Sequence, residues 1–267
     1  MAGELVGGSV SFDHAAESYD ATRGEPPEVS QRLTEALLAE LQALDADWLL
    51  EIGIGTGRIT RPVAERGVRV TGIDIAPHML AQLREQLAPD AAPVDLAVGD
   101  VTALPYADGS FHAAVAVHVL HLVSSWERAL EELRRVLALG GVFIHHYARY
   151  AEPNPWTPSL QARDEILDDM NVARRPRPRE AQIADRLRTL GGSRRELVYY
   201  EGEERTAPID WLERARGRID SWTWEVPEEV YPSFIQRYES WCRGHYGDLG
   251  RVRPQQVQNE LHVWSFA

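Results

Sequence analysis

The chain has 267 residues and a formal net charge of −13, from 28 basic and 41 acidic side chains, and all the basic residues are arginine. Without lysine there is no P-loop amine, no Schiff-base or pyridoxal-phosphate amine, and no third-strand lysine of a protein kinase. The acidic balance argues against the basic footprint of sequence-independent nucleic-acid binding.

The single Cys242 gives neither an intrachain disulfide nor a CxxC pair. No apolar run approaches the ~18 residues of a membrane-spanning helix, so no membrane insertion is expected. The N-terminus lacks a basic segment followed by an apolar stretch, so the expected location is the cytoplasm. Charge and aromatics are unevenly spread. Residues 1–150 hold 11 Arg against 21 acids, whereas residues 151–267 hold 17 against 20 and six of the eight Trp.

In chain order, residues 28–44 place Leu33, Leu37, Leu38, Leu41 and Leu44 at helical spacing. Residues 48–54 are a short apolar run closed by glycines, which reads as a buried strand. Residues 58–66 return to a helical pattern. A second strand over 68–75 ends in an acid, and a helix over 77–87 has Pro77 at its start. Residues 95–98 predict a third strand, and 111–122 a fourth that runs into a loop. An amphipathic helix over 127–139 is stopped by Gly140-Gly141, and a fifth strand follows over 142–147. Strands alternating with helices at these spacings predict βαβ units and a parallel sheet.

Beyond residue 150 the alternation breaks. The proline-rich AEPNPWTPSL reads as a loop. A helix is expected over 179–190, a strand over 195–200, helices over 208–246 broken near Pro227 and Pro232, and a final strand over 256–266. The expected division is a core over 1–150. Residues 151–267 would complete the sheet and add a helical lid, about 208–248, over an acceptor pocket. Trp211, Trp222, Trp224, Tyr231, Phe234, Tyr238 and Trp241 would either line that pocket or pack the helices.

The strongest local signal is the turn Glu51-Ile-Gly53-Ile-Gly55-Thr-Gly57-Arg58. Glycines after a first strand let a ligand approach the backbone and turn a helix N-terminus toward it. The dinucleotide fingerprint GxGxxG requires glycine where Arg58 stands, which disfavours a nicotinamide-dependent oxidoreductase.

The motif Glu51, Gly53, Gly55, Gly57 resembles the first motif of the class I S-adenosylmethionine-dependent methyltransferases. Asp74 in TGIDIAPHML and Asp100-Val101 in AVGDVTALPYADGSF resemble their second and third motifs in order. ALPYADGSFHAAVAVHVLHLV followed by RRVLALGGVFIHH is similar to their small-molecule branch, which includes quinone-biosynthesis enzymes. The resemblance covers roughly residues 12–147. It implies a doubly wound α/β fold with a mostly parallel seven-stranded Rossmann-like sheet and a helical insertion before the last strand. It also implies S-adenosylmethionine as cofactor, S-adenosylhomocysteine as product and a small-molecule acceptor.

By the same resemblance Asp74 would bind the ribose hydroxyls, Ile75 and Met79 would pack on the adenine, and Asp100 with Val101 would meet its amino edge. Ile54 and Thr56 belong to the glycine turn. Tyr19 and Arg23 would close over the cofactor, with Arg23 able to pair with the methionyl carboxylate. His118 would touch the cofactor.

Candidate catalytic groups at the sheet's carboxyl edge are His121, His146 and Tyr147. His145 lies beside them, and the histidine spacings match no metal motif. DNA amino-methyltransferases carry (N/D)PP(Y/F/W) after the fourth strand. Here that place reads His118-Val-Leu-His121, and Asn154-Pro155-Trp156 follows the fifth. A non-catalytic cofactor-binding protein on the same fold is the alternative reading. The sequence leaves the acceptor, its reacting atom and the oligomeric state open.

Overall fold

A computed structural model describes residues 4–6 and 8–267. The chain opens with a short antiparallel pair, β1 (Glu4–Val6) and β2 (Ser9–Ser11), which the sequence pattern did not predict. A 3₁₀ turn (Asp13–Ser18), α1 (Tyr19–Arg23) and α2 (Pro27–Ala43) follow. In α2, Pro27 sits at the first position, where a missing N–H costs nothing. Leu33, Leu37 and Leu41, one turn apart, bury one face against Leu49, Val63 and Ile144.

The alternating part runs β3 (Trp48–Ile52), α3 (Arg61–Ala64), β4 (Arg69–Asp74), α4 (Pro77–Gln86), β5 (Val94–Val98), β6 (Phe111–Ala116), α5 (Trp126–Val136) and β7 (Leu137–Tyr150). Then come α6 (Thr157–Asp169), α7 (Glu180–Thr189), β8 (Gly192–Thr206), α8 (Pro208–Arg216), α9 (Ser221–Trp224), α10 (Tyr231–Tyr246) and β9 (Arg253–Phe266).

Strands β3 to β9 form one seven-stranded sheet in the order β5-β4-β3-β6-β7-β9-β8, with β5 through β7 joined by parallel pairings. This is the expected doubly wound, mostly parallel architecture. Alternate residues of the inner strands feed two cores. Leu50, Ile52, Ala114, Phe143 and Trp264 pack with α5 and α7, while Leu49, Ala113, Val115, Ile144 and Val263 pack with α2. The strand order reverses at β3, the position where open α/β sheets bind ligands beyond the strands' carboxyl ends.

Three local expectations need correction. The helix expected over 58–66 is only the single turn α3. Gly140-Gly141 does not separate a helix from a strand, because β7 already starts at Leu137. Leu137 pairs with Phe111 and Val142 with Ala113, so the residues between bulge out of register around Gly140 at φ +75°. The expected loop over 151–160 gives way to α6, whose second residue, Pro158, fits the first turn of a helix.

The chain divides into two compact units. Among the described residues, the larger comprises those of 4–147 together with 177–200 and 259–267, and the smaller 148–176 and 201–258. The smaller unit has its own apolar core of Ile166, Leu167, Leu212, Phe234, Tyr238 and Cys242 from α6, α8 and α10. Among the described residues, no helix is long and apolar enough to cross a membrane.

Candidate functional site

At the carboxyl end of β3 the chain turns through Gly53, Gly55 and Gly57 at φ +67°, +54° and +71°. These are left-handed conformations that side chains with a Cβ resist. The space is also closed: a Cβ on Gly53 would lie 2.3 Å from Val119 Cγ2, and one on Gly57 2.4 Å from Leu83 Cδ1. Replacing Gly53 with alanine therefore adds left-handed strain of about 1–2 kcal/mol to a collision with the loop that carries His118. We expect a lower urea midpoint together with weaker cofactor binding. An unchanged midpoint and affinity would show that the turn tolerates a side chain.

Four amides of this turn are spent internally. Gly53 N–H and Ile54 N–H donate to Ile73 O, Gly57 N–H donates to Ile54 O, and Gly55 N–H donates to Asp74 Oδ2 at 2.9 Å. A turn with four of its amides occupied, next to a carboxylate and followed by a four-residue helix, is a poor cradle for a pyrophosphate. That geometry adds to Arg58 in disfavouring a dinucleotide.

Asp74, at the end of β4, is fixed from both sides, since its Oδ1 accepts Ala76 N–H at 2.9 Å. Burial pushes its pKa above the ordinary range, while the N–H groups of Ala76, Gly55 and Ile75 pull the other way. The carboxylate keeps acceptor capacity beyond its backbone donors. Asp74 lines a cleft with Tyr19, Gly53, Gly55, Ile75 and Met79. Asp100, Val101 and His118 lie along the same cleft. Asp100, after β5, is held by accepting Thr102 N–H at 2.9 Å.

The other cofactor candidates do not line this cleft. Ile54 packs in the small core with Val70 and Leu80. Thr56 donates to Asp20 Oδ1 at 2.6 Å, tying the glycine turn to α1. Glu51 is buried beneath the turn and accepts from Thr60 Oγ1. Arg23 places its guanidinium over the rings of Phe12 and Tyr19, at 4.6 and 5.0 Å from their centroids.

The three catalytic candidates do not converge. Strand alternation sends His146 and Tyr147 to opposite faces of β7. Tyr147 lies 4.1 Å, ring to ring, from His262 and 4.5 Å from His145. His146 lies 5.0 Å from His118 and 5.9 Å from Tyr199. His121 occupies the 3₁₀ turn Leu120–Leu122 after β6. None of the three lines the cleft.

Residues that the motif reading did not single out complete the His146 side. Glu25, between α1 and α2, sits 3.8 Å from His118 Nε2 and 3.7 Å from Arg58 Nη1. Arg58 also donates to Arg23 O at 2.9 Å. Burial alone would raise the Glu25 pKa, but the hydrogen bond to His118 and the charge of Arg58 outweigh it and hold the carboxyl below its ordinary range. Glu25 and Tyr199 come from opposite ends of the sequence, and no local pattern links them. Only the pair Tyr199-Tyr200 on a strand hinted that one tyrosine faces inward.

Of the aromatics expected either to line a pocket or to pack the helices, several pack within the smaller unit. Trp211 lies against Trp156, Trp222 against Phe234, and Phe234 stacks on Tyr238. Trp224 Nε1 donates to Arg218 O at 2.6 Å. Among the described residues, no three His, Cys, Asp or Glu side chains are grouped to hold a metal ion.

A reversed-order parallel sheet, a glycine turn and a carboxylate ending the next strand place the candidate site at the switch point of a Rossmann-like sheet. Residues 50–145 match the family model described as a methyltransferase domain. It is 34% identical over 134 residues to a malonyl-[acyl-carrier protein] O-methyltransferase of Serratia marcescens, covering 50% of this chain and 49% of that one. It is 35% identical over 148 residues to a demethylmenaquinone methyltransferase of Beutenbergia cavernae, covering 55% and 59%. The chain thus spans about half the length of these curated relatives. The magnesium protoporphyrin IX methyltransferase of Synechocystis, solved with bound S-adenosylhomocysteine, superposes with a TM-score of 0.51 at 14% identity over 94% of this chain and 95% of that one.

Proposed function

We propose that this protein transfers a methyl group from S-adenosylmethionine to a small-molecule acceptor. The observation that carries the proposal is Asp74. Gly55 N–H and Ala76 N–H each hold one of its oxygens, and the carboxylate keeps acceptor capacity for the hydroxyls of a cis-diol. Ile75, Met79 and Val101 offer apolar contact to an adenine, and Asp100 offers an acceptor for its amino group.

The sulfonium of the cofactor supplies an already activated methyl group. The protein's task is then to hold the cofactor and bring an acceptor atom in line with the sulfur–methyl bond, where orientation supplies up to about 7–11 kcal/mol in the best cases. Titration calorimetry against S-adenosylhomocysteine and NAD tests the cofactor. We expect binding of the former and none of the latter, and binding of NAD alone would overturn the proposal. Transfer of a labelled methyl group to a panel of small acceptors then tests the reaction.

A further inference from the structure

Part of the cleft's lining does not come from the sheet. Ser9, Val10, Phe12 and Tyr19 reach it from a single N-terminal stretch, whereas Asp74 and Val117 reach it from the ends of β4 and β6. The two linings are held differently. Asp74 is braced by two backbone N–H groups, and Val117 packs in the core that α2 covers. The N-terminal stretch meets the rest of the cleft through a small apolar patch, where Phe12, Ala16 and Tyr19 pack with Ala76 and Met79.

Outside that patch, side-chain hydrogen bonds tie the stretch down at its edges. Ser124, in the segment after β6 that also carries His118, donates its N–H to Ser9 Oγ at 3.2 Å, and the two hydroxyl oxygens lie 3.5 Å apart. His78 N–H, in the first turn of α4, donates to Asp13 Oδ1 at 2.6 Å, and His78 Nδ1 lies 2.5 Å from Asp13 Oδ2. Thr56 Oγ1 ties Asp20 to the glycine turn. Each tie thus reaches a different segment bordering the cleft. A hydrogen bond exchanged for water is worth little, so such ties break and reform without unfolding the sheet, whereas the inner strands open only with the whole fold.

We infer that residues 9–20 form a strap that swings away for the cofactor to enter or leave, and that its ties to Ser124 and His78 set the rate of that exchange. This rests on the cofactor reading above. Closed, the strap completes the cleft with Ser9, Val10, Phe12 and Tyr19. Open, it uncovers Asp74, Ile75 and Met79. A product held beneath it departs only as fast as the ties release, so the strap acts on rates of uptake and release.

The natural Cys242 is buried in the core of the smaller unit, so a second pair of cysteines can be introduced without competition. Ser9→Cys/Ser124→Cys is oxidised either empty or loaded with labelled S-adenosylhomocysteine, and the label retained after rapid desalting is followed in time. We expect the protein oxidised empty to take up no label and the protein oxidised when loaded to keep it, with a reductant restoring exchange in both. Asp13→Ala should act in the opposite direction and release label about 2- to 10-fold faster than the wild type. Wild-type uptake and release by the disulfide-bonded protein overturns the inference. So does failure of the two cysteines to couple, which would part Ser9 from Ser124 in solution, and so does release from Asp13→Ala no faster than from the wild type. In each case label bound by the wild type leaves the cofactor reading standing. Failure of the wild type to bind label overturns both.

Discussion

Replacing Asp74 with alanine is expected to weaken S-adenosylhomocysteine binding by about 10²- to 10⁴-fold. Two hydrogen bonds from a diol to one carboxylate are charge-assisted, and each is worth about 1.5–3 kcal/mol. The substitution also releases the N–H groups of Gly55 and Ala76, which now hold the carboxylate at 2.9 Å each. The turn would therefore lose its brace as well as its ligand contact. Asp74→Asn separates the two effects. It keeps the shape but replaces one acceptor oxygen with an NH₂ that faces either a backbone N–H or the diol, so it too should bind far more weakly. Calorimetry reads both variants. Affinity within threefold of the wild type in Asp74→Ala would remove Asp74 from the cofactor site.

What the sequence disclosed follows the range of the interaction that fixed each feature. The βαβ alternation and the glycine turn are local. Apolar periods set the strands, and the left-handed φ at Gly53, Gly55 and Gly57 needs glycine whatever surrounds it. Asp74, one strand further on, was singled out only through the resemblance, and in the fold a hydrogen bond from Gly55 ties it to the turn.

The helix α6 was hidden for a different reason. Its buried positions are Ser159, Ala162, Ile166 and Leu167, so the first half of its inward face carries no large apolar side chain. The prolines of AEPNPWTPSL then dominated the reading. The grouping of Glu25, Arg58, His146 and Tyr199 could not be read at all, since it depends on where the sheet places chain segments more than a hundred residues apart. The same alternation of β7 that made its strand character legible divides His146 from Tyr147, and so separates two of the three catalytic candidates.

Glu51 carries the second large effect, and it is one of pH. The carboxyl is 2% exposed beneath the glycine turn, and burial pushes its pKa from 4.5 to about 8, against the opposing hydrogen bond from Thr60 and the charge of Arg58. Below pH 4.5 the group is protonated in both folded and unfolded chains and costs nothing. Between 4.5 and about 8 the folded state holds a proton that the unfolded state has released, so stability falls as pH rises, by up to about 1.4 kcal/mol per pH unit. Across the window the loss is on the order of 3–5 kcal/mol. Glu51→Gln keeps the volume and an oxygen to accept from Thr60, but it cannot ionise. We expect its urea-unfolding free energy, measured without cofactor, to lie close to the wild type below pH 5, to exceed it increasingly toward pH 8, and to keep a constant excess above that. Parallel pH profiles for the two proteins would mean that Glu51 is already ionised in the fold. The buried acid of the first motif would then be compensated by Arg58 rather than kept neutral by its surroundings.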